Sequence, residues 1–143
     1  MEQDQNTPRV ITYWAEPGDP TLAVQVASTA WAECQELQLR TYSEFAQSLV
    51  EQVEDIPRLE IISKVQDRVV GAAVLTYEYD PHVGLCASVV WNYVLPGYRG
   101  TGIARRVVQA AQNLAREAGL TVYAYSHRSG PFEYKIKYRR VHE

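Results

Sequence analysis

The chain has 143 residues, 46% of them hydrophobic and 22% charged, which suits one globular domain and excludes a disordered or fibrous segment. Its formal net charge is −3. That opposes a dedicated nucleic-acid binder, which carries a basic excess.

The whole chain, 1–143, reads as a single domain, of which residues 1–8 read as a flexible N-terminus. Arg9 to Ala15 is β-branched and aromatic and predicts a strand. Pro17-Gly18-Asp19-Pro20 is a turn. Thr21 to Leu37 predicts one helix, with Leu22, Val26, Ala30 and Cys34 at helical spacing. Thr41-Tyr42-Ser43-Glu44 has the form of a capping box, in which hydroxyl and carboxylate satisfy the first amides of a helix. That helix runs to about Asp55, with Phe45, Leu49 and Val53 on one face.

Three strands follow: Leu59 to Val65, Val69 to Tyr79 and Leu85 to Leu95, separated by turns at Gln66-Asp67-Arg68 and Asp80 to Gly84. Strict alternation in the third would point Ala87, Val89, Trp91, Tyr93 and Leu95 one way, and Cys86, Ser88, Val90, Asn92 and Val94 the other. A helix from Gly102 to Ala118 carries a stripe of Ile103, Val107, Ala110 and Leu114, and Gly119 is a natural stop. Leu120 to Ser126 predicts a strand, Arg128 to Pro131 an irregular stretch, and Phe132 to Val141 a last strand. In that strand Phe132, Tyr134, Ile136 and Tyr138 alternate with Glu133, Lys135, Lys137 and Arg139. The order is β-α-α-β-β-β-α-β-β: a mixed α/β sheet with helices on both faces and one strand-helix-strand crossover.

The chemistry concentrates at Arg99-Gly100-Thr101-Gly102, where a buried strand ends and a helix begins. Amides in the first turn of a helix lack partners and carry partial positive charge, and glycines let the backbone approach a phosphate. The first turns hold no Asp or Glu but three cations, Arg99, Arg105 and Arg106. Cations there are unfavourable by roughly 0.3–1 kcal/mol each, and a bound polyanion reverses that sign. The loop lacks the Gly-Lys-Ser/Thr of a nucleoside triphosphatase and the full G-x-G-x-x-G of a dinucleotide site.

This segment resembles the acyl-CoA motif of the GNAT N-acetyltransferase superfamily, Gln/Arg-x-x-Gly-x-Gly/Ala, through Arg99, Gly102 and Ala104. The flanking Val94, Pro96, Tyr98 and Gly100 match the family's approach to the loop, and the element order matches over nearly the whole chain. The resemblance implies an acetyl-CoA-dependent enzyme whose pyrophosphate rests on the backbone of Gly100, Thr101, Gly102, Ile103 and Ala104, beside Arg99. It implies a pantetheine arm along Tyr93, Val94 and Leu95, near a splay between two strands, with Asn92 at the bend. It further implies that the acetyl group passes to a primary amine of a small molecule or protein by direct attack in a ternary complex.

A tyrosine after the fifth strand often protonates the departing thiolate in this family, and the candidates are Tyr134, first, and Tyr138. The family usually places a helix before that tyrosine, but Ser126 to Phe132 is too short and Gly/Pro-rich for one, and a final strand is expected to be missing. Glu78 and Asp80, at a strand end, are candidate bases; they also suit hairpin-end charges in solvent. His127, His82, Glu33 and Glu36 suit ordinary surface positions, although Glu33 and Glu36 would attract a cationic acceptor.

The alternative is a non-catalytic module of the same fold that binds a partner protein, with or without CoA. Lys135, Lys137, Arg139 and Arg140 read as a solvated basic face rather than a nucleic-acid site. Cys34 and Cys86 have no metal-ligand spacing and read as reduced, buried thiols, so no metal is expected. The N-terminus is acidic and polar where a secretory signal would be basic and apolar, and no apolar run nears the ~20 residues of a membrane span. The expected location is the cytoplasm, and the expected partners are the amine acceptor and a second copy of the chain.

Overall fold

A computed structural model describes residues 7–130 and 132–142; the expected flexible N-terminus lies mostly outside the described residues. Six strands form one sheet in chain order: β1 (Arg9–Ala15), β2 (Arg58–Val65), β3 (Arg68–Asp80), β4 (Gly84–Val94), β5 (Val122–Gly130) and β6 (Glu133–Arg140). Every neighbouring pair is antiparallel except β4 with β5. Three helices complete the domain: α1 (Ala27–Glu33), α2 (Tyr42–Glu54) and α3 (Ile103–Glu117). α1 and α2 pack on one sheet face over Ile62, Val70, Ala72 and Val74. α3 covers the other over Ile61, Ala73, Leu75, Ala87 and Val89.

The single helix expected over 21–37 is broken. α1 is flanked by 3-10 turns at Ala23–Val26 and Gln35–Leu37, and no side chain caps it. Val24, Val26 and Thr29 weaken helix propensity there. The segment is held instead by a buried ion pair that the sequence pattern does not announce. Arg58 Nε donates to Glu60 Oε2 at 2.6 Å, and neither side chain is exposed. Glu60 Oε1 also accepts from Thr21 Oγ1 (2.8 Å), Tyr13 OH (3.0 Å) and Leu22 N (3.3 Å). Arg58 Nη2 donates to the Asp19 carbonyl at 2.7 Å. Every strong group of the buried pair is satisfied, which burial of charge demands. α2, by contrast, starts on the expected capping box: Thr41 Oγ1 accepts from Glu44 N, and Glu44 Oε1 accepts from Thr41 N.

β4 departs from strict alternation. Its register with β3 runs Leu75↔Val89, then Val74↔Trp91, leaving Val90 as a bulge. A bulge flips every later side chain to the other face. Ala87 and Val89 therefore face α3, whereas Trp91, Tyr93 and Leu95 face α1 and α2. The bend lies at Val90, not at Asn92, which pairs with Ala73.

Smaller corrections follow. The fully buried alanines of α3 are Ala111 and Ala115, with Ala110 only partly covered. Arg128 to Gly130 continues β5 rather than forming a loop, with a register shift against β6 between Arg128 and Gly130, so only Pro131 and Phe132 separate it from β6. Cys86 is buried, and burial pushes its thiol pKa up, but Cys34 is only half-buried. Among the described residues no helix is long and apolar enough to cross a membrane.

Candidate functional site

The parallel pair β4–β5 meets only at Ala87↔Tyr123 and Ser88↔Ala124. Beyond Ser88 the two strands part, and among the described residues no strand lies beside the β5-facing backbone of β4 from Val89 to Val94. The Val90 bulge sits where the parting begins, as bulges at sheet openings do. The loop Arg99–Gly102 crosses the open end of this splay and leads into α3.

The loop geometry follows from its glycines. Gly100 and Gly102 have φ of +85° and +89°, a left-handed backbone that side chains rarely adopt. A Cβ at either would meet nothing within 4 Å, so the need is conformational, and the space above the loop is open. Gly102 caps α3 without a side-chain hydrogen bond, and the first turn carries no acidic residue. The helical ladder closes only at Arg106 N to Gly102 O, 3.2 Å, leaving the amides of Ile103, Ala104 and Arg105 ahead of it. The contrast with α2, whose first amides are satisfied by its own box, marks α3 as the helix start with capacity for an anion.

Arg99 is committed elsewhere. Its guanidinium donates to both Glu33 oxygens, at 2.7 and 2.8 Å, and its Nε donates to the Val94 carbonyl at 3.0 Å. The Tyr93 hydroxyl donates to the same carboxylate, and the guanidinium lies 5.4 Å from the Tyr93 ring centre. The bond from Arg99 holds the Glu33 carboxyl below its ordinary value, while burial and then Glu33 push the Tyr93 phenol up to about 12. The C-terminal end of α1 is thus latched to the loop. Glu33 belongs to this latch, and no sequence signal joins residues 66 positions apart.

The remaining candidates are spread over the sheet. Val94 ends β4, its carbonyl taken by Arg99. Leu95 is buried and its amide donates to the Val70 carbonyl at 2.9 Å. Thr101 Oγ1 donates back to the Tyr98 carbonyl at 2.6 Å, tightening the turn. Tyr134 pairs with Arg128 on the open side of the splay and accepts from the Arg128 guanidinium, which lies 4.0 Å from its ring centre. Tyr138 donates to Asp80 Oδ2 at 2.6 Å, which raises its pKa and lowers that of Asp80. Asp80 also caps the turn amides of His82 and Val83. Glu78 is exposed opposite Cys86, eight residues of extended chain, about 26 Å, from Val94. The splay and loop therefore bring Tyr93, Arg99 and the glycines together, with Tyr134 on the splay's far wall; Glu78 and Tyr138 lie toward the closed end.

The model of the acetyltransferase (GNAT) family matches residues 29–131. No curated protein matches. Among solved structures, the chain resembles ribosomal-protein-alanine N-acetyltransferase from Brucella melitensis biovar Abortus 2308, at 20% identity over 85% of this chain and 82% of that one, TM-score 0.57. It also resembles a predicted acetyltransferase with acetyl-CoA from Clostridium acetobutylicum, at 16% identity over 85% and 82%, TM-score 0.59. A third is the aminoglycoside 6′-N-acetyltransferase AAC(6′)-IG from Acinetobacter haemolyticus, at 14% identity over 78% and 79%, TM-score 0.53. At such identities the likeness concerns the fold.

Proposed function

Since the chain belongs to the GNAT acetyltransferase family, we propose that it is an N-acetyltransferase that moves an acetyl group from acetyl-CoA to a primary amine of a small molecule or protein. The observation that carries this reading is the uncapped start of α3, with left-handed Gly100 and Gly102 at the open end of the β4–β5 splay. The group fits these residues: a diphosphate needs unpartnered amides and cations, and both stand at Gly100 to Ala104 beside Arg105 and Arg106. Bound there, acetyl-CoA supplies a thioester-activated acyl group. The freed backbone edge of β4 from Val89 to Val94 orients an extended arm by strand-like hydrogen bonds and presents amides to a carbonyl oxygen.

An amine attacks only when neutral, so a group on the chain takes its proton. Glu78 is exposed on the same face as Tyr134 but lies toward the closed end of the splay, so it takes that proton through a chain of water rather than directly. Tyr134, at the open side of the splay, gives a proton to the departing sulfur, with Arg128 fixing its ring. The acceptor approaches from the α1–α2 face, which Tyr134 and Glu78 share.

The test is calorimetry with acetyl-CoA, with Gly102→Trp as control. Saturable binding lost in the variant supports the assigned loop, and turnover with a panel of amines then supports the enzyme. Binding without turnover for any amine moves the reading to a non-catalytic module of this fold. Unchanged binding in Gly102→Trp refutes the loop assignment.

A further inference from the structure

Alternation along β6 separates two chemistries. Tyr123, Tyr125 and Val141 join the α3 core, and Tyr123 and Tyr125 pair with Arg139 and Lys137. The odd-numbered side chains of β6 therefore face α3, and Tyr134, Ile136 and Tyr138 face the side of α1 and α2. Those two helices rest on Ile62, Val70, Ala72 and Val74 of β2 and β3. The stripe on β6 stays open, with Tyr134 57%, Ile136 64% and Tyr138 43% exposed. A solvated sheet face ordinarily carries polar side chains. Packing of the domain gives no reason for three apolar ones in a row.

Inward of the stripe the sheet surface is low. One cross-strand row runs Thr76, Ser88, Ala124, Tyr138, and Ser126 pairs with Ile136. Short side chains on β4 and β5 thus lie beside the tall ones of β6 and form a trough. Its wall begins at Tyr134, across from Arg128 at the open side of the splay.

Size, charge and position indicate the occupant. At 150–250 Å² for a fully buried ring, the stripe offers on the order of 300–400 Å² of apolar surface. A stable protein interface buries about 800 Å² on each partner, so the stripe suits a small molecule. The stripe itself carries no charge. Asp80, whose carboxylate touches it, is held by the Tyr138 hydroxyl and the amides of His82 and Val83. A polycationic amine finds no row of carboxylates here. Ile136 stands two residues, about 7 Å, along the strand from Tyr134. An amine at the thioester reaches it with an apolar body that starts within two carbons of the nitrogen.

We propose that this trough selects the acyl acceptor, a small primary amine bearing an aromatic or branched aliphatic body, with Ile136 as the specificity-determining contact. The inference rests on the acetyltransferase reading above and deepens it by naming the acceptor class.

The experiment measures kcat/KM for acetylation of phenethylamine, ethanolamine and spermidine by the wild-type chain, Ile136→Thr and Ile136→Val. The side chain is exposed and both replacements keep β-branching, so both variants are expected to fold, and circular dichroism checks it. The wild type is expected to favour phenethylamine over the other two by about tenfold. Ile136→Thr should cut that preference about fourfold and Ile136→Val should keep it, with KM for acetyl-CoA unchanged in both. Equal rates for the three amines, a preference for spermidine, or a preference that survives Ile136→Thr overturns the trough and leaves the transferase reading standing. Binding of acetyl-CoA with turnover of none of the three amines overturns the transferase reading, and the acceptor with it.

Discussion

Removing the latch between α1 and the phosphate loop should cost about 1 kcal/mol of coupling energy. The perturbation is a double-mutant cycle of Glu33→Ala and Arg99→Ala. Arg99 also bonds Val94 and lies against Tyr93, so the single variant overstates the pair; the cycle cancels those losses. The side chains are 48% and 38% exposed, which places the bridge among solvent-screened pairs worth about 0.2–1 kcal/mol. Its two parallel bonds at 2.7 and 2.8 Å, with the Tyr93 hydroxyl on the same carboxylate, put it at the upper end. Urea unfolding at pH 7 measures it. The carboxyl's folded pKa lies below its ordinary 4.5, so the contribution is complete above 4.5 and disappears as the pH falls through the lowered folded value. Added salt should shrink it too. A coupling under about 0.2 kcal/mol at pH 7, or one that grows toward acid, refutes the latch.

Arg58→Met should destabilise the domain by about 3–5 kcal/mol in urea unfolding, because it strands the Glu60 carboxylate in the core; a loss below 1 kcal/mol would mean that Glu60 is hydrated or protonated there. Thr41→Ala should cost about 1 kcal/mol through the lost cap of α2, measured in the same way, and Thr41→Ser should retain most of it. If Tyr134 protonates the leaving sulfur, Tyr134→Phe should lower kcat about a hundredfold with little change in KM for acetyl-CoA; an unchanged kcat assigns the ring to packing against Arg128 alone.

Local patterns were legible wherever local physics decided. The capping box at Thr41 needs only a four-residue spacing, and it forms as read. The glycines at 100 and 102 punctuate a strand and a helix, and both take the left-handed backbone. The order of strands and helices was readable for the same reason, since period 2 and period 3.6 are written residue by residue.

What failed was whatever depends on a neighbour. Strict alternation along β4 is a sound default, but the Val90 bulge is set by pairing with β3 and by the departure of β5, neither of which β4 encodes alone. The break in the first helix reflects a weak local propensity overruled by the anchoring of Thr21 and Leu22 on Glu60, 38 to 39 residues away.

The site divides in the same way. By itself the sequence determined that an uncapped, glycine-led and cation-rich helix start follows a buried strand, because the anion-holding groups are backbone amides whose placement is local. Only the tertiary structure decided that Arg99 turns away to Glu33, that Tyr138 is tied to Asp80, and that Lys137 and Arg139 face the same side as α3. Those pairings span 58 and 66 residues of chain for the two hydrogen bonds. Side chains that far apart meet only when the sheet register brings their strands and helices together.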